Sequence, residues 1–300
     1  MTTSCIVITC NDQFMGPAAF LVAQIRGFGS RDTDIFIGSD APLSPELTAL
    51  GAQHLPIAPD DIVQAVPTDA RLQRFTYWKL AAIAKLARSH ARILYLDTDI
   101  FCAAPGIAQL LDLPMSGKAL AAVLDVHHLY RPKRKVPEFI GAGLSHAPYF
   151  NAGVLMIDAQ AWRARGCDAQ IAEIAERQRH LLSRHDQSIL NLLFHADWLE
   201  LSPVWNWQYS KKNAYLATHA GPRLVHYAGG SKLWSVSSDG KNRSHWLLYD
   251  HGPDRLGAET RKPLAQLHRQ FLASALWYHR ANLRHLRRFE TDFSTIAHGQ

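Results

Sequence analysis

Short apolar runs punctuated by turn residues alternate along this chain with longer stretches in which apolar positions recur at helical spacing. The runs at Ser4–Cys10, Ile35–Gly38, Gln53–Ile57, Ile93–Leu96, Ala119–Leu124 and Tyr149–Ile157 predict strands. Several are apolar at nearly every position, as in a sheet covered on both faces. Gly16-Pro17 opens a predicted helix through Ala18–Arg26, with proline suited to the first turn. Tyr77–Arg88, Ala159–Arg165 and Asp168–Leu182 carry helical periodicity as well. This alternation predicts an α/β fold, a mainly parallel sheet flanked by helices. No internal repeat or low-complexity tract interrupts residues 1–255, which read as one domain.

Residues 256–300 carry a different pattern. Phe271, Leu272, Leu276, Trp277, Tyr278, Leu283 and Leu286 fall among Arg269, Arg280, Arg284, Arg287 and Arg288, which predicts a basic amphipathic helical extension. Trp and Tyr beside basic residues over 261–290 suit the surface of an anionic membrane. They suit equally a helix packed on the domain or on a second subunit. A second basic cluster, Arg131-Pro132-Lys133-Arg134-Lys135, lies in a polar segment between two strands. These two stretches concentrate the net charge of +6. Neither carries a recognisable RNA or DNA motif, so nucleic acid is not an expected partner, and a solvated face is the plain reading of the first cluster.

An apolar fraction of 47% and a charged fraction of 19% fit a globular protein, and 300 residues leave room for a large core. No apolar run reaches the length of a membrane span, and Cys5–Cys10 is too short and too poor in basic flanks for a signal peptide. Cys5, Cys10, Cys102 and Cys167 lack Cys-x-x-Cys spacing, so buried, reduced thiols are expected and a zinc site is not. The resulting expectation is a cytoplasmic protein, at most peripheral to the inner face of the cell membrane.

The most informative chemistry lies where Ile93–Leu96 ends, at Asp97-Thr98-Asp99. In an open α/β sheet, ligands bind just beyond the carboxyl ends of the strands. Two carboxylates clustered there repel one another unless a cation sits between them. An all-oxygen pair suits Mg²⁺ or Mn²⁺, which can also bridge to a diphosphate. The spacing alone is weak, arising by chance about once in a few hundred residues. The chain holds its own control in Asp32-Thr33-Asp34-Ile35, which precedes a strand and so belongs at the opposite edge of the sheet.

Further motifs follow in order. They are Thr9-Cys10-Asn11-Asp12-Gln13-Phe14, Arg74-Phe75-Thr76-Tyr77-Trp78-Lys79-Leu80, Tyr149-Phe150-Asn151-Ala152-Gly153-Val154-Leu155, Asp186-Gln187-Ser188-Ile189-Leu190-Asn191, Trp205-Asn206 and Leu224-Val225-His226-Tyr227-Ala228-Gly229-Gly230-Ser231-Lys232-Leu233-Trp234. With the Asp97–Asp99 pair, their order and spacing over about residues 4–235 resemble the family-8 retaining glycosyltransferases. That group contains glycogenin and bacterial lipopolysaccharide galactosyl- and glucosyltransferases. The resemblance implies a GT-A type, Rossmann-like domain. It also implies metal-dependent, retaining transfer of a hexose from a UDP-sugar to a glycan or glycolipid acceptor.

By this resemblance, Asp97, Asp99 and His226 hold one Mn²⁺ or Mg²⁺ against the donor phosphates, the imidazole favouring Mn²⁺. Without it, His226 in its apolar run reads as a core histidine. Lys232 and Lys79 are the implied basic groups toward the diphosphate, with Thr98 and Gly229 completing the lining. Asn11 is implied to read the base, with Thr9 and Phe14 packed around uracil; an ordinary strand-to-helix turn is the plain alternative. Asp125, Asp186 and Asn151 are implied partners of the sugar hydroxyls. Gln187 stands where a nucleophile has been sought, but an amide is a poor one. Same-face substitution is therefore expected, with the leaving diphosphate oxygen taking the acceptor proton and the Gln187 carbonyl stabilising the sugar cation. Ser188 departs from relatives that carry a second Asp.

The basic cluster around Lys133–Lys135 falls where the family places acceptor-binding loops, which implies an anionic acceptor such as a phosphorylated lipopolysaccharide core. Two other classes stay open. One is a non-catalytic scaffold that binds sugar nucleotides or glycans in a cell-surface assembly complex; the presence of Asp97, Asp99, His226 and Lys232 argues against it. The other is a glycogenin-like self-glycosylating primer, for which no segment singles out a tyrosine.

Overall fold

Along β1 (Ser4–Thr9), Cys5 and Val7 enter one apolar cluster while Ile6 and Ile8 enter another. The same alternation divides β4 (Arg92–Leu96), with Ile93 and Tyr95 on one face and Leu94 and Leu96 on the other. Burial on both faces is the reason these strands are apolar at almost every position. The structure, a computed structural model, describes residues 4–29, 32–58, 71–210, 213, 216–217, 220–228, 232 and 269–299.

An eight-stranded sheet runs β3 (Gln53–Pro56), β2 (Asp34–Ser39), β1, β4, β7 (Phe150–Asp158), β6 (Leu120–Leu124), β8 (Leu199–Leu201) and β11 (Thr295–Ala297). Pairing is parallel for β1 with β2 and β4, β2 with β3, and β6 with β8. β7 is antiparallel to β4 and β6, and β11 to β8. A smaller sheet joins β5 (Ile100–Cys102), β10 (Leu224–His226) and β9 (Trp207–Gln208). Helices α1 (Met15–Gly27), α2 (Pro45–Ala49) and α4 (Ile107–Leu111) bury residues in the Ile6 cluster. Helices α3 (Arg71–Leu86), α6 (Pro137–Gly141), α7 (Ala159–Ala164), α8 (Cys167–Arg177) and α9 (Asp186–Leu193) bury theirs in the Val7 cluster. Two further described helices are α5 (Val126–Tyr130) and α10 (Arg269–Leu286).

Two details differ from the sequence reading. Helix α1 begins at Met15, so Gly16 and Pro17 fall inside its first turn. The predicted helix over 168–182 stops at Arg177, because the next inward positions after the buried Ala175 are Gln178 and Arg179; a 3-10 turn takes over at Arg179–Leu181. Strand β7 shifts register against β6, where Ala122 faces Leu155 but Val123 faces Asn151. Such a bulge lets a strand re-aim side chains beside a site. Asp34 heads β2 opposite Cys5, so the Asp32–Asp34 copy does lie at the amino end of the parallel strands. All four cysteines are buried and unpaired, and burial pushes each thiol up to about 12. Among the described residues, no helix is long and apolar enough to cross a membrane.

From Ala281 onward the C-terminal segment packs on the domain. Ala281, Asn282 and His285 of α10 are buried, and β11 extends the main sheet. The fastener is Glu200 of β8, fully buried. His285 Nε2 lies 2.6 Å from Oε1, His298 Nε2 lies 2.7 Å from Oε2, and Arg288 donates at 3.0 and 2.9 Å. Burial alone would raise the Glu200 carboxyl, but these donors and the positive charges outweigh it and hold the carboxyl down to about 2.

A carboxyl lowered by folding adds stability above its ordinary value of 4.5 and loses that contribution as pH falls toward about 2. Glu200→Gln keeps the volume but leaves Arg288 facing a neutral amide. In urea denaturation at pH 7 it is expected to lower the unfolding free energy by about 3 kcal/mol. It should also flatten the acid-induced decline in that pH window. An unchanged urea midpoint would show that the segment is not fastened through this carboxylate.

Candidate active site

β7 secures the residue that follows β4, since Asp97 N donates to the Gly153 carbonyl at 2.9 Å. The Asp97 carbonyl accepts from Ile100 N at 3.2 Å, closing a turn that hands Asp99 to β5. β10, antiparallel to β5, sets His226 opposite Ile100. Its Nε2 lies 3.2 Å from Asp99 Oδ1 and 3.9 Å from Asp97 Oδ2. One ligand atom from each of the three residues lies within 4.8 Å of the others. Gly153 makes this possible, because a Cβ there would stand 2.2 Å from His226 Cε1 and 3.0 Å from Asp97 Oδ2.

A relay of side-chain amides decides which proton His226 carries. The Asp125 carboxylate only accepts, so Gln187 turns Nε2 toward it at 3.2 Å and Oε1 away. Gln187 Oε1 accepts from Asn151 Nδ2 at 3.3 Å and from Ala152 N at 3.0 Å. Asn151 Oδ1 accepts in turn from Asn206 Nδ2 at 2.8 Å and from Gly153 N at 3.0 Å. Asn206 Oδ1 then faces His226 Nδ1 at 2.9 Å, which places the imidazole proton on Nδ1. The Nε2 lone pair is left pointing at the two carboxylates. Asp99 Oδ1 is buried and has no hydrogen-bond partner among the described residues. A lone pair facing a buried, unpartnered carboxylate oxygen is a repulsive contact that a cation between them would relieve, and this set fits a divalent metal ion.

Basic groups flank the set. Lys232 pairs with Asp99 Oδ2. Burial works against the charge on Asp99, but His226 in its protonated form and the Lys232 ammonium hold its carboxyl well below the usual range. Lys79, on α3, is buried and directs its ammonium at Asp97 Oδ1 (3.2 Å), Asp186 Oδ2 (2.8 Å) and the Ala152 carbonyl (2.9 Å). Burial would lower the Lys79 pKa, yet Asp186 and Asp97 raise it. Burial lifts the Asp186 carboxyl, against the pull of Lys79. Tyr95 OH donates to Asp97 Oδ1 at 2.7 Å and accepts from Thr9 Oγ1 at 3.0 Å.

Asp97, Asp99, Lys79, Lys232, Tyr95, Asp125, Asn151, Asp186 and Gln187 line one cleft of about 1270 Å³ with Thr98, Asn11 and Phe14, while His226 and Asn206 lie buried behind it. Asn11 follows β1, and its Oδ1 is buried with no partner among the described residues. Asp186 and Gln187 start α9 directly after His185, whose φ of 53° with ψ of −125° is a strained backbone state held by its surroundings. Gly229 lies outside the described residues.

Two expectations are modified. Both lone pairs of the Gln187 carbonyl are engaged, so it is not presented to a sugar in this arrangement. Asp97, Asp186 and the Ala152 carbonyl engage all three Lys79 protons, so none is left to face a diphosphate in this arrangement. The sequence reading also passed over Tyr130, Arg184, Trp277 and Tyr278, which line the same cleft. No local pattern could have found Trp277 and Tyr278, because the contact of α10 with α5 is made across the whole fold.

The Glycosyl transferase family 8 model matches residues 5–237. Glycosyltransferase GlyF of Streptococcus pneumoniae serotype 4 is 24% identical over 259 residues, covering 81% of this chain and 60% of the relative. Lipopolysaccharide 1,2-glucosyltransferase of Escherichia coli K12 is 28% identical over 186 residues, covering 58% of this chain and 53% of the relative. The chain thus spans a little over half the length of these curated relatives. The crystal structure of the galactosyltransferase LgtC with donor and acceptor sugar analogues matches 90% of this chain and 99% of its own, with a TM-score of 0.63 at 19% identity. That likeness is one of fold, and the GT-A architecture is shared. With a family model matching most of its length, the chain belongs to glycosyltransferase family 8.

Proposed function

We propose that this chain moves a hexose from a UDP-sugar to a hydroxyl of a glycan or glycolipid, with retention of configuration and with Mn²⁺ or Mg²⁺ bound. The observation that carries this reading is the His226 Nε2 lone pair aimed, with Asp97 and Asp99, at one point beside Lys232. Asp97, Asp99 and His226 would hold the metal, whose chemistry is to neutralise negative charge developing on a diphosphate leaving group. Lys232 adds a second positive charge on the same side. The unpartnered Asn11 Oδ1 suits the N–H of a uracil, with Phe14 beside it. Lipopolysaccharide glucosyl- and galactosyltransferases among the relatives favour an acceptor of that class, met at the inner face of the cell membrane.

Retention is what the family resemblance implies, and the carboxylates bear on how it would be reached. Asp186 is held by Lys79, and Asp125 by Arg184, Gln187 and the His127 amide. Each is committed to a cation or a donor, which argues against a protein nucleophile. In same-face substitution the C1–O bond to the diphosphate breaks, the acceptor oxygen bonds to C1, and the acceptor proton passes to the diphosphate oxygen. The chain's part is to orient the sugar through Asp125, Asp186 and Asn151 and to exclude water.

Slow donor hydrolysis without acceptor tests this reading across UDP-, GDP- and CDP-sugars with Mn²⁺. Release from a UDP-sugar, abolished by EDTA and by Asp99→Ala, is the expected result. If calorimetry of the folded protein detects no Mn²⁺-dependent UDP binding, the reading falls and a non-catalytic scaffold replaces it.

The relay gives a second test independent of turnover. Asn206→Ala removes the acceptor that fixes the Nδ1–H tautomer, and is expected to weaken Mn²⁺ binding by about 10- to 100-fold. Titration of unbound Mn²⁺ by electron paramagnetic resonance reads this directly. Unaltered affinity would mean that the imidazole does not ligate.

A further inference from the structure

The cleft is larger than a sugar nucleotide requires, since ligand pockets run to about 1,000 Å³ and this one reaches about 1270 Å³. Part of its lining lies where α5 meets α10. Three aromatic rings gather there. Tyr130 lies 4.6 Å from Tyr278 and 5.8 Å from Trp277, and Trp277 lies 4.9 Å from Tyr278. Asn282 donates to Tyr130 OH at 3.0 Å, fixing the central ring. Trp277 is nevertheless 45% exposed. An indole held by two neighbours and left half-open inside a cleft offers a flat face to a pyranose, whose C–H face is apolar.

The same wall is cationic. Arg131 and Arg134 follow Tyr130 directly, and with Arg184 they line both this cleft and an adjoining cavity of about 170 Å³. Among the described residues, Arg131 and Arg134 make no ion pair. Arg184 lies 3.3 Å from Asp125, and its guanidinium also stands 5.3 Å from the Tyr149 ring. Three guanidinium groups and Lys135 outnumber the two carboxylates of that recess, Asp125 and Glu138, of which Asp125 already pairs with Arg184, and such an excess is suited to a planar or tetrahedral oxyanion. Lys133, the middle of the basic sequence cluster, lines neither space.

We propose that Tyr130, Trp277 and Tyr278 form the platform, and Arg131, Arg134 and Arg184 the anion clamp, of an acceptor subsite for a pyranose carrying a phosphate or carboxylate group. This rests on the glycosyltransferase reading, which assigns the strand-end half of the cleft to the donor. The subsite gives α10 a role in the cleft and narrows the anionic acceptor expected from sequence to three arginines and a stacking surface.

The test uses the full chain saturated with UDP and Mn²⁺, so that sugar phosphates cannot enter the donor site. Glucose 6-phosphate, glucuronic acid and methyl glucoside are titrated by saturation-transfer NMR against wild type, Trp277→Ala and Arg131→Ala/Arg134→Ala. Both anions are expected to bind at least tenfold more tightly than the methyl glucoside. Trp277→Ala should weaken all three probes, and the double arginine variant should abolish the preference for anions. Equal binding of charged and neutral probes, or variants that match wild type, would overturn the subsite. UDP affinity, measured first, separates the two readings. Loss of UDP binding in wild type defeats the donor assignment, whereas UDP binding without probe binding defeats the subsite alone. Flotation of wild type with phosphatidylglycerol vesicles, lost in the double variant and without binding of soluble probes, would replace the acceptor subsite with a membrane-docking face.

Discussion

Because a carboxylate can only accept hydrogen bonds, Asp125 sets the direction of a relay that ends on the imidazole of His226. Gln187, Asn151 and Asn206 each have one donor end and one acceptor end, so fixing the first fixes them all. The tautomer of a buried histidine is thereby decided by a charge three side chains away. Reversing any one amide would set donor against donor, or acceptor against acceptor, at both of its ends, at a cost of about 1–3 kcal/mol for each buried group left unsatisfied. The expected metal-ligand geometry is therefore built into the chain's own hydrogen-bond network.

Electrostatics point the same way. Asp97, Asp99 and Asp186 bring three negative charges to the ends of the strands, while Lys79 and Lys232 supply two positive ones. With His226 neutral, one negative charge is left over in a region where Asp99, Asp186 and Lys79 are nearly inaccessible to water. Buried charge without a partner is strongly unfavourable, so the arrangement is stable only because a cation or the rim solvent can reach it. Topology supplies the closeness that creates the excess. β7 runs between β4 and β6 with a glycine at the one position where a side chain would displace His226.

How much of this was legible depended on length and range. The Asp97–Asp99 pair could be read because a full apolar strand precedes it, and the Asp32–Asp34 copy could be set aside because its strand comes afterwards. His226 sits on a three-residue strand, too short for periodicity, and was placed only by family resemblance. The antiparallel direction of β7 left no mark, since an apolar run reads the same both ways. Glu200 hides in a short apolar run, and its partners come from the far end of the chain. For α10, periodicity gave a face but could not say what covers it; burial of Ala281, Asn282 and His285 supplies that answer for its second half.

The relay and the proposed acceptor clamp share one residue, Asp125, whose Oδ2 accepts from both Gln187 and Arg184. If an anionic acceptor draws Arg184 toward itself, Asp125 keeps Gln187 and the His127 amide as donors. The carboxylate remains an acceptor, so the direction of the relay and the tautomer of His226 do not change. Metal affinity should then be insensitive to acceptor binding even though a continuous chain of hydrogen bonds connects the two sites. A relay of this kind fixes geometry without transmitting occupancy, because its polarity depends on the sign of one charge and not on how tightly that charge is held.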